Sequence, residues 1–345
     1  MSFENLIYNP LLIAEIGGSH GGDPERLQRI IDSAISVGIK NLKFQIYEAD
    51  SLVSKDYSPE RYKHFSKLEI DKNIYKKAFE YCHSKNINCS LSAWSIDLIN
   101  EFEKYCPYFK VGSGDLTFHD LIKTISQIGK PLIISTGMST LEEIKEACDI
   151  YLNNFPEGKS KALRKLAVLH CVSLYPTDTE LVGLNQIDVL KRELNNEIKI
   201  GYSHHCKNHD LIVYSYLMGA EIIEFHFTDN ILDDSFRDNQ LSLDINIFLE
   251  INKKLEILKK IKRKDFKEIY AAQQSQGNLI DFRRSLFARK HLKAGVMLKH
   301  VDFDFLRPFV GIGVEYSKEI FNGDYILIKD IQKGQSLQWH QIKRK

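Results

Sequence analysis

Residues 199–229 read KIGYSHHCKNHDLIVYSYLMGAEIIEFHFTD, a pattern that predicts strand, helix, strand with a histidine closing each strand. Side chains alternate faces along a strand. Ser203 and His205 therefore share one face, and Glu224 and His226 share the corresponding face of the next strand. Parallel neighbours of this kind place two imidazoles side by side, with a hydroxyl and a carboxylate one layer deeper. Such a pair is either a seat for a divalent metal with open positions or two hydrogen-bonded histidines inside a barrel. The rest of the chain separates the two.

Outward from there, LLIAEIG at 11–17 is an apolar run broken by one carboxylate, as in a buried parallel strand. Further strands are predicted at 41–47 (NLKFQIY), 88–94 (NCSLSAW), 108–114 (YFKVGSG), 131–137 (PLIISTG) and 166–172 (LAVLHCV), with the opening pair as seventh and eighth. Helices are expected after Asp23-Pro24, near 73–85, from Ser139 and over 245–262, and a long charged loop runs to about Leu68. Eight strands alternating with helices define an α/β chain, a (β/α)8 TIM barrel over residues 1–262.

Interior positions of such barrels are normally branched and apolar. Here one face carries Glu15, Lys43, Gln45, Ser90, Ser92, Lys110, Ser135, His170, Ser203, His205, Glu224 and His226. Charges in a dry core are costly, so a ring of polar groups in phase marks a wet, ligand-filled mouth. Lys43 and Lys110 bring positive charge to it. The turns Ser135-Thr136-Gly137 and Gly112-Ser113-Gly114 read as backbone cradles for an anion. Together these features point to an anionic substrate with a phosphate to lose.

Composition narrows the partners. A chain of 345 residues fits a barrel with a small appendage. With 43% hydrophobic and 27% charged residues and a net charge of +1, it lacks the basic excess of a nucleic-acid or membrane-surface binder. MSFENLIYNPLL has no signal-peptide layout and no apolar run is long enough to span a bilayer. The scattered Cys82, Cys89, Cys106, Cys148, Cys171 and Cys206 fit a reduced cytoplasm. Residues 263–281 read as a linker. Residues 282–345 read as short strands and turns, in which ARKHLKAGVML and IKDIQKGQSLQ are similar to each other. So short a segment is expected to lean on a partner surface, and Arg307 opens a loop within it.

In order, AEIGGSHGGD, KFQIYEADSLVSKD, KVGSGD, KPLIISTGMSTLEEI, LHCVSLYP, GYSHH, IEFHFT and RRSLFARKHLKAGVML resemble the sialic acid (nonulosonic acid) synthases, from about residue 11 to the C-terminus. The resemblance implies a phosphoenolpyruvate-condensing barrel followed by a C-terminal antifreeze-like (SAF) domain. The implied reaction joins phosphoenolpyruvate to a 2-acetamido sugar aldehyde. By the same resemblance His205 and His226 are metal ligands, usually to manganese, with magnesium or cobalt as alternatives. Glu15 matches the catalytic carboxylate, and Lys43, Lys110, Gln45, Ser113, Ser135 and Ser203 match positions that hold phosphoenolpyruvate or the adjoining substrate. Asp115 and Thr136 join these as substrate contacts, and Tyr175 and Asp238 correspond to sugar-side contacts. Arg307 matches an arginine delivered into the partner subunit's barrel, which implies a domain-swapped homodimer.

The chain departs from that pattern at several points. Ser203-His204-His205-Cys206 replaces Ser-Asp-His-Thr, Asp115 replaces a glutamate, Ser92-Ala93-Trp94 replaces Thr-Pro-Phe, and Ser19 replaces an asparagine. DDSFRDN at 233–239 stands where Pro-Gly-Pro-Asp is usual. Most of these changes fall around the sugar, leaving N-acetylmannosamine, its phosphate and a diacetamido sugar as acceptors. The competing readings are another divalent-metal barrel aldolase or hydrolase that does not use phosphoenolpyruvate, and a non-catalytic sugar-binding homologue. Retention of Glu15, Lys43, Lys110, His205 and His226 together argues against the last.

Overall fold

Eight parallel strands close on themselves in sequence order. They are β1 (Leu11–Ile16), β2 (Asn41–Ile46), β3 (Asn88–Ala93), β4 (Phe109–Val111), β5 (Leu132–Ser135), β6 (Leu166–Cys171), β7 (Lys199–His204) and β8 (Ile222–His226). The structure, a computed structural model, describes residues 10–233, 236–261 and 265–345. The expected barrel end at 262–263, the opening residues 1–9 and residues 234–235 of the 233–239 stretch lie outside the described residues.

Around the barrel run α1 (Pro24–Ser36), α2 (Ala49–Leu52), α3 (Pro59–Leu68), α4 (Lys72–Ser84), α5 (Ile96–Phe102), α6 (His119–Ile128), α7 (Leu141–Asn154), α8 (Lys159–Leu163), α9 (Gln186–Glu193), α10 (Asp210–Leu217) and α11 (Ile245–Ile261). In α1 the Asp23 carboxylate accepts the Glu25 N–H, and Pro24 sits where a missing N–H is harmless. Leu27, Ile30, Ile31 and Ala34 then fall on one buried face. Helix α7 begins at Leu141 rather than Ser139 because Thr140 and Glu143 cap each other reciprocally. The loop expected up to Leu68 contains α2 and α3, the latter started by Pro59. Strand β4 is shorter than expected because Ser113–Asp115 turns as a 3-10 helix directly after Gly112.

The inner face of the barrel has two layers. Leu11, Ile13, Tyr108, Ile133, Ala167, Leu169 and Ile222 form an apolar plug at its N-terminal end. The next inward residues toward the C-terminal end are the polar ones, since Glu15 pairs in register with Lys43 and His226, and Ser203 with Glu224. Gly201 lies within the plug. A Cβ there would stand 2.2 Å from the Ile222 carbonyl oxygen and 2.5 Å from a Leu169 methyl.

The chain divides into two compact units at Leu258/Lys259. The second contains α12 (Phe266–Ser275) and α13 (Asn278–Phe282), so most of the segment expected to be a linker is helical, α12 being started by an Asp265–Glu268 capping box. Strand β9 (Ser285–Ala288) pairs antiparallel with β10 (Phe303–Leu306), and β11 (Tyr325–Leu327) with β12 (Ile342–Arg344). The two similar segments pair with each other, Leu292 and Ile331 exchanging N–H···O bonds of 2.9 and 3.0 Å. Leu286, Leu298, Phe303, Ile312, Leu327 and Leu337 give this small β unit a core of its own. Among the described residues no helix is long and apolar enough to cross a membrane.

Gly201→Ala should lower the stability of the barrel by about 1–3 kcal/mol through overpacking. A urea midpoint equal to wild type would show that the plug has room that these distances exclude.

Candidate active site

All of the polar residues expected inward except Ser90 and His170 line one cavity of about 670 Å³ at the C-terminal mouth of the barrel. At its base is a chain of buried charges. Lys43 Nζ lies 2.8 Å from Glu15 Oε2, donates to Ser92 Oγ at 3.0 Å and is 3.5 Å from Glu224 Oε2. Lys110 Nζ is 3.2 Å from Glu224 Oε1, the oxygen that also accepts from Ser203 Oγ at 3.0 Å. Gln45 Nε2 donates to the other Glu15 oxygen. Glu15, Lys43, Lys110 and Glu224 are 4%, 2%, 3% and 2% exposed, so the pairs are nearly dry.

Burial opposes charge on Glu15, but Lys43, His226 and Lys110 outweigh it and hold the carboxyl well below the usual range. Glu224 is lowered in the same way, burial and Glu15 opposing, Lys110 and Lys43 prevailing. Burial likewise disfavours the Lys43 charge, yet Glu15 and Glu224 raise its pKa. Two ammonium groups thus face two carboxylates.

Beside Glu15 stand the two imidazoles, ring centroids 5.4 Å apart. His205 Nδ1 is 2.9 Å from the Val172 carbonyl oxygen. A carbonyl only accepts, so Nδ1 carries the proton of that bond and Nε2 is the nitrogen left for a ligand. His226 Nδ1 is buried without a hydrogen-bond partner, 3.8 Å from Asp238 Oδ2, while its Nε2 is 3.9 Å from Glu15 Oε2. Burial pushes the His226 pKa down, which favours the neutral, metal-binding form. His205 is pushed up to about 9: burial lowers it, but Cys171, 3.7 Å away, and the Val172 carbonyl raise it further. The donor set nonetheless fits a divalent ion, with one orphaned imidazole nitrogen, one nitrogen left free by its neighbour's bond and carboxylates close by. Among the described residues no three His, Cys, Asp or Glu side chains are grouped to hold a metal. Two imidazoles leave the other positions to water or substrate.

Ser135 and Ser173 point buried hydroxyls without protein partners, and both residues line the cavity with Lys110 and Ser113. The anion cradle expected at 135–137 is different in kind. The Thr136 N–H and hydroxyl both bond the Leu169 carbonyl, and the Gly137 N–H bonds Ser113 Oγ. Those amides are spent within the protein, and Thr136 lies outside this cavity. His170 also leaves the ring. Its neighbours Leu169 and Cys171 carry the inward face, and its Nε2 bonds the Val182 carbonyl at 2.6 Å. Asp115 does line the cavity, and burial pushes its carboxyl up to about 6 against the pull of Lys110.

Tyr175 packs against His205, ring centroids 4.3 Å apart, and Arg237 lies over the Tyr175 ring, Cζ 4.4 Å from its centroid. Arg237 Nε also reaches Asp238 Oδ1 at 3.2 Å. Arg26 braces this wall by pairing with Asp229 and Asp233 in the loop after β8. Arg307 belongs to the C-terminal unit, exposed after β10 with its guanidinium 5.7 Å from the Phe282 ring centroid. Glu224, Cys171, Ser173 and Arg237 receive no separate role from the sequence alone. The inward phase of Glu224 is readable along β8, but Cys171 lies on a strand whose sequence suggests the opposite phase, Ser173 and Arg237 lie outside strands, and bridges between distant strands are not readable at all.

Fold and site together define a (β/α)8 barrel with a cluster of buried, paired charges in a cavity at its C-terminal mouth. The chain belongs to the NeuB family, whose model matches residues 30–267. It is 34% identical to an uncharacterized protein of Methanocaldococcus jannaschii, covering 90% of this chain and 88% of the relative. It is 28% identical to the N,N'-diacetyllegionaminic acid synthase of Campylobacter jejuni, over 88% and 91% of the two chains. The crystal structure of N-acetylneuraminic acid synthetase from Leptospira borgpetersenii superposes with a TM-score of 0.68 at 26% identity, covering 78% and 90%.

Asp115 gives this mouth a pH dependence. Below about 6 its carboxyl is neutral, and above that its charge repels an anion held by Lys110. Sulfate affinity should fall several-fold as pH rises through that value, and the step should vanish in Asp115→Asn. An identical profile in the variant would assign the step to another group.

Proposed function

We propose that this chain condenses phosphoenolpyruvate with the open-chain aldehyde of an N-acyl amino sugar, giving a nonulosonic acid and inorganic phosphate. The observation that carries this reading is the buried Glu15–Lys43–Glu224–Lys110 chain lying directly beside the His205–His226 pair. The NeuB membership and the names of its relatives support the same reaction class.

Lys43 and Lys110, with the Ser135 and Ser113 hydroxyls, hold the phosphate and carboxylate of phosphoenolpyruvate. A divalent ion on His205 and His226, manganese first and magnesium or cobalt next, would polarise the aldehyde oxygen for attack. The alkene carbon of phosphoenolpyruvate forms the new C–C bond to the aldehyde carbon as the carbonyl π pair moves to the aldehyde oxygen, which takes a proton from solvent. The enol carbon turns electron-poor, water adds there, and Glu15, kept ionised by Lys43, orients that water and takes its proton. Collapse of the tetrahedral intermediate expels phosphate with the electron pair of the C–O bond, the departing phosphate takes the proton of the new hydroxyl, and the ketone remains. Tyr175 and Asp238 stand where the sugar must approach the imidazoles.

Assembly belongs to the same proposal. The C-terminal unit, as a SAF domain, places Arg307 over the barrel of a second copy, where its guanidinium bonds the sugar and helps exclude water.

Glu15→Gln should keep phosphoenolpyruvate affinity while kcat falls about 10²-fold or more; near-wild-type kcat would make Glu15 structural. His205→Ala should lose manganese binding followed by electron paramagnetic resonance, and wild-type binding in that variant would remove the ion from this seat. Mixed Arg307→Ala and Glu15→Gln subunits should regain part of the activity, because a heterodimer holds one intact site. Heterodimers that form and stay inactive would place Arg307 outside catalysis.

A further inference from the structure

We infer that the outer half of the cavity selects an acceptor whose far end is apolar, a deoxygenated sugar with a second acylamino group, over a sugar phosphate; this rests on the reaction proposed above. Ser90 and Ser92 alternate inward on β3, which puts Trp94 one layer above the Ser92 hydroxyl that holds Lys43. Its ring lies 5.0 Å from Tyr47 and 6.1 Å from Phe65 between centroids, and Phe65 meets Tyr47 edge-on at 5.3 Å. Phe236 closes the other side, stacked on His64 at 6.1 Å. Gly18 lets that ring settle, since a Cβ there would come within 2.4 Å of it. Trp94, Phe65, Phe236 and Leu52 line the same cavity as Glu15 and His226.

Aromatic faces take up C–H, methyl and acyl groups and give nothing to the oxygens of a phosphate. A phosphate pressed against them would shed water without replacement bonds. The guanidinium nearest the metal seat is already engaged, Arg237 being bonded to Asp238 and laid over Tyr175. The cations left for a phosphorylated acceptor are Arg61, which lines the cavity exposed on α3 with its guanidinium 6.0 Å from the Phe65 centroid, and the Arg307 proposed to reach in from a second copy, neither of them built into the wall. The apolar wall is therefore the built feature of this end of the site.

The test compares phosphate release by the full chain with phosphoenolpyruvate, manganese and each of three acceptors: N-acetylmannosamine, its 6-phosphate, and a 2,4-diacetamido-2,4,6-trideoxyhexose. The trideoxy sugar should lead in kcat/KM by about 10-fold or more. Trp94→Ala should raise its KM by a similar factor and leave the phosphoenolpyruvate KM within about 2-fold, and Trp94→Phe should restore most of the loss. Leu52→Asn, at the edge of the wall, should give the same split and serves if Trp94→Ala does not fold. A preference for the 6-phosphate, or variants that raise both KM values equally, would overturn this inference and leave the proposed reaction standing. No phosphate release with any acceptor would overturn the reaction and the inference together.

Discussion

The ammonium of Lys43, held between Glu15 and Glu224 and by the Ser92 hydroxyl, is the contact on which the mouth of this barrel depends. Four almost fully buried charges gain little net stability from one another, since desolvation consumes most of their attraction. Removing any one leaves its partner buried and unpaired, which costs more than the pair ever contributed. Such a cluster is therefore better understood as pre-organised chemistry than as a stabilising device. It keeps Glu15 ionised in a place where burial alone would protonate it. It also balances two cations with two anions, so the anionic substrate proposed above would be matched by the divalent cation proposed for the imidazoles.

The two layers of the barrel interior divide the labour. The apolar plug around Ile13, Leu169 and Ile222 supplies conventional packing, tight enough to demand glycine at 201. That rigidity lets the residues one step further along each strand hold fixed distances across the mouth. Loops above the strands then set what approaches. Arg26 ties down the loop after β8, and α3 contributes Phe65 to the wall opposite.

Much of this was legible because strand geometry is simple. A period of two, read from 199–229, places Ser203 with His205 and Glu224 with His226, and all four line the one cavity. The barrel followed from the alternation of strands and helices. Contacts between strands far apart in sequence, such as Lys110 with Glu224, follow only from closure and could not be read along the chain. His170 was assigned to the inner face by its place near a strand end, yet β6 turns Leu169 and Cys171 inward and His170 out. The 135–137 turn looked like a free set of amides because sequence does not tell which carbonyl or hydroxyl already accepts from them. The helices within 266–282 were hidden by a charged, glutamine-rich composition that serves a solvated helix as well as a linker.

Water attacking the enol carbon under the control of Glu15, followed by loss of phosphate through C–O cleavage, is the step on which the proposed chemistry rests. Phosphoenolpyruvate labelled with oxygen-18 at the bridging position follows that bond directly. Mass spectrometry of the products, with an amino-sugar acceptor present, should find the label in inorganic phosphate and none in the new keto acid. Label retained in the keto acid would mean that the P–O bond breaks instead, and Glu15 with its lysine would not be the pair that directs water to the enol carbon.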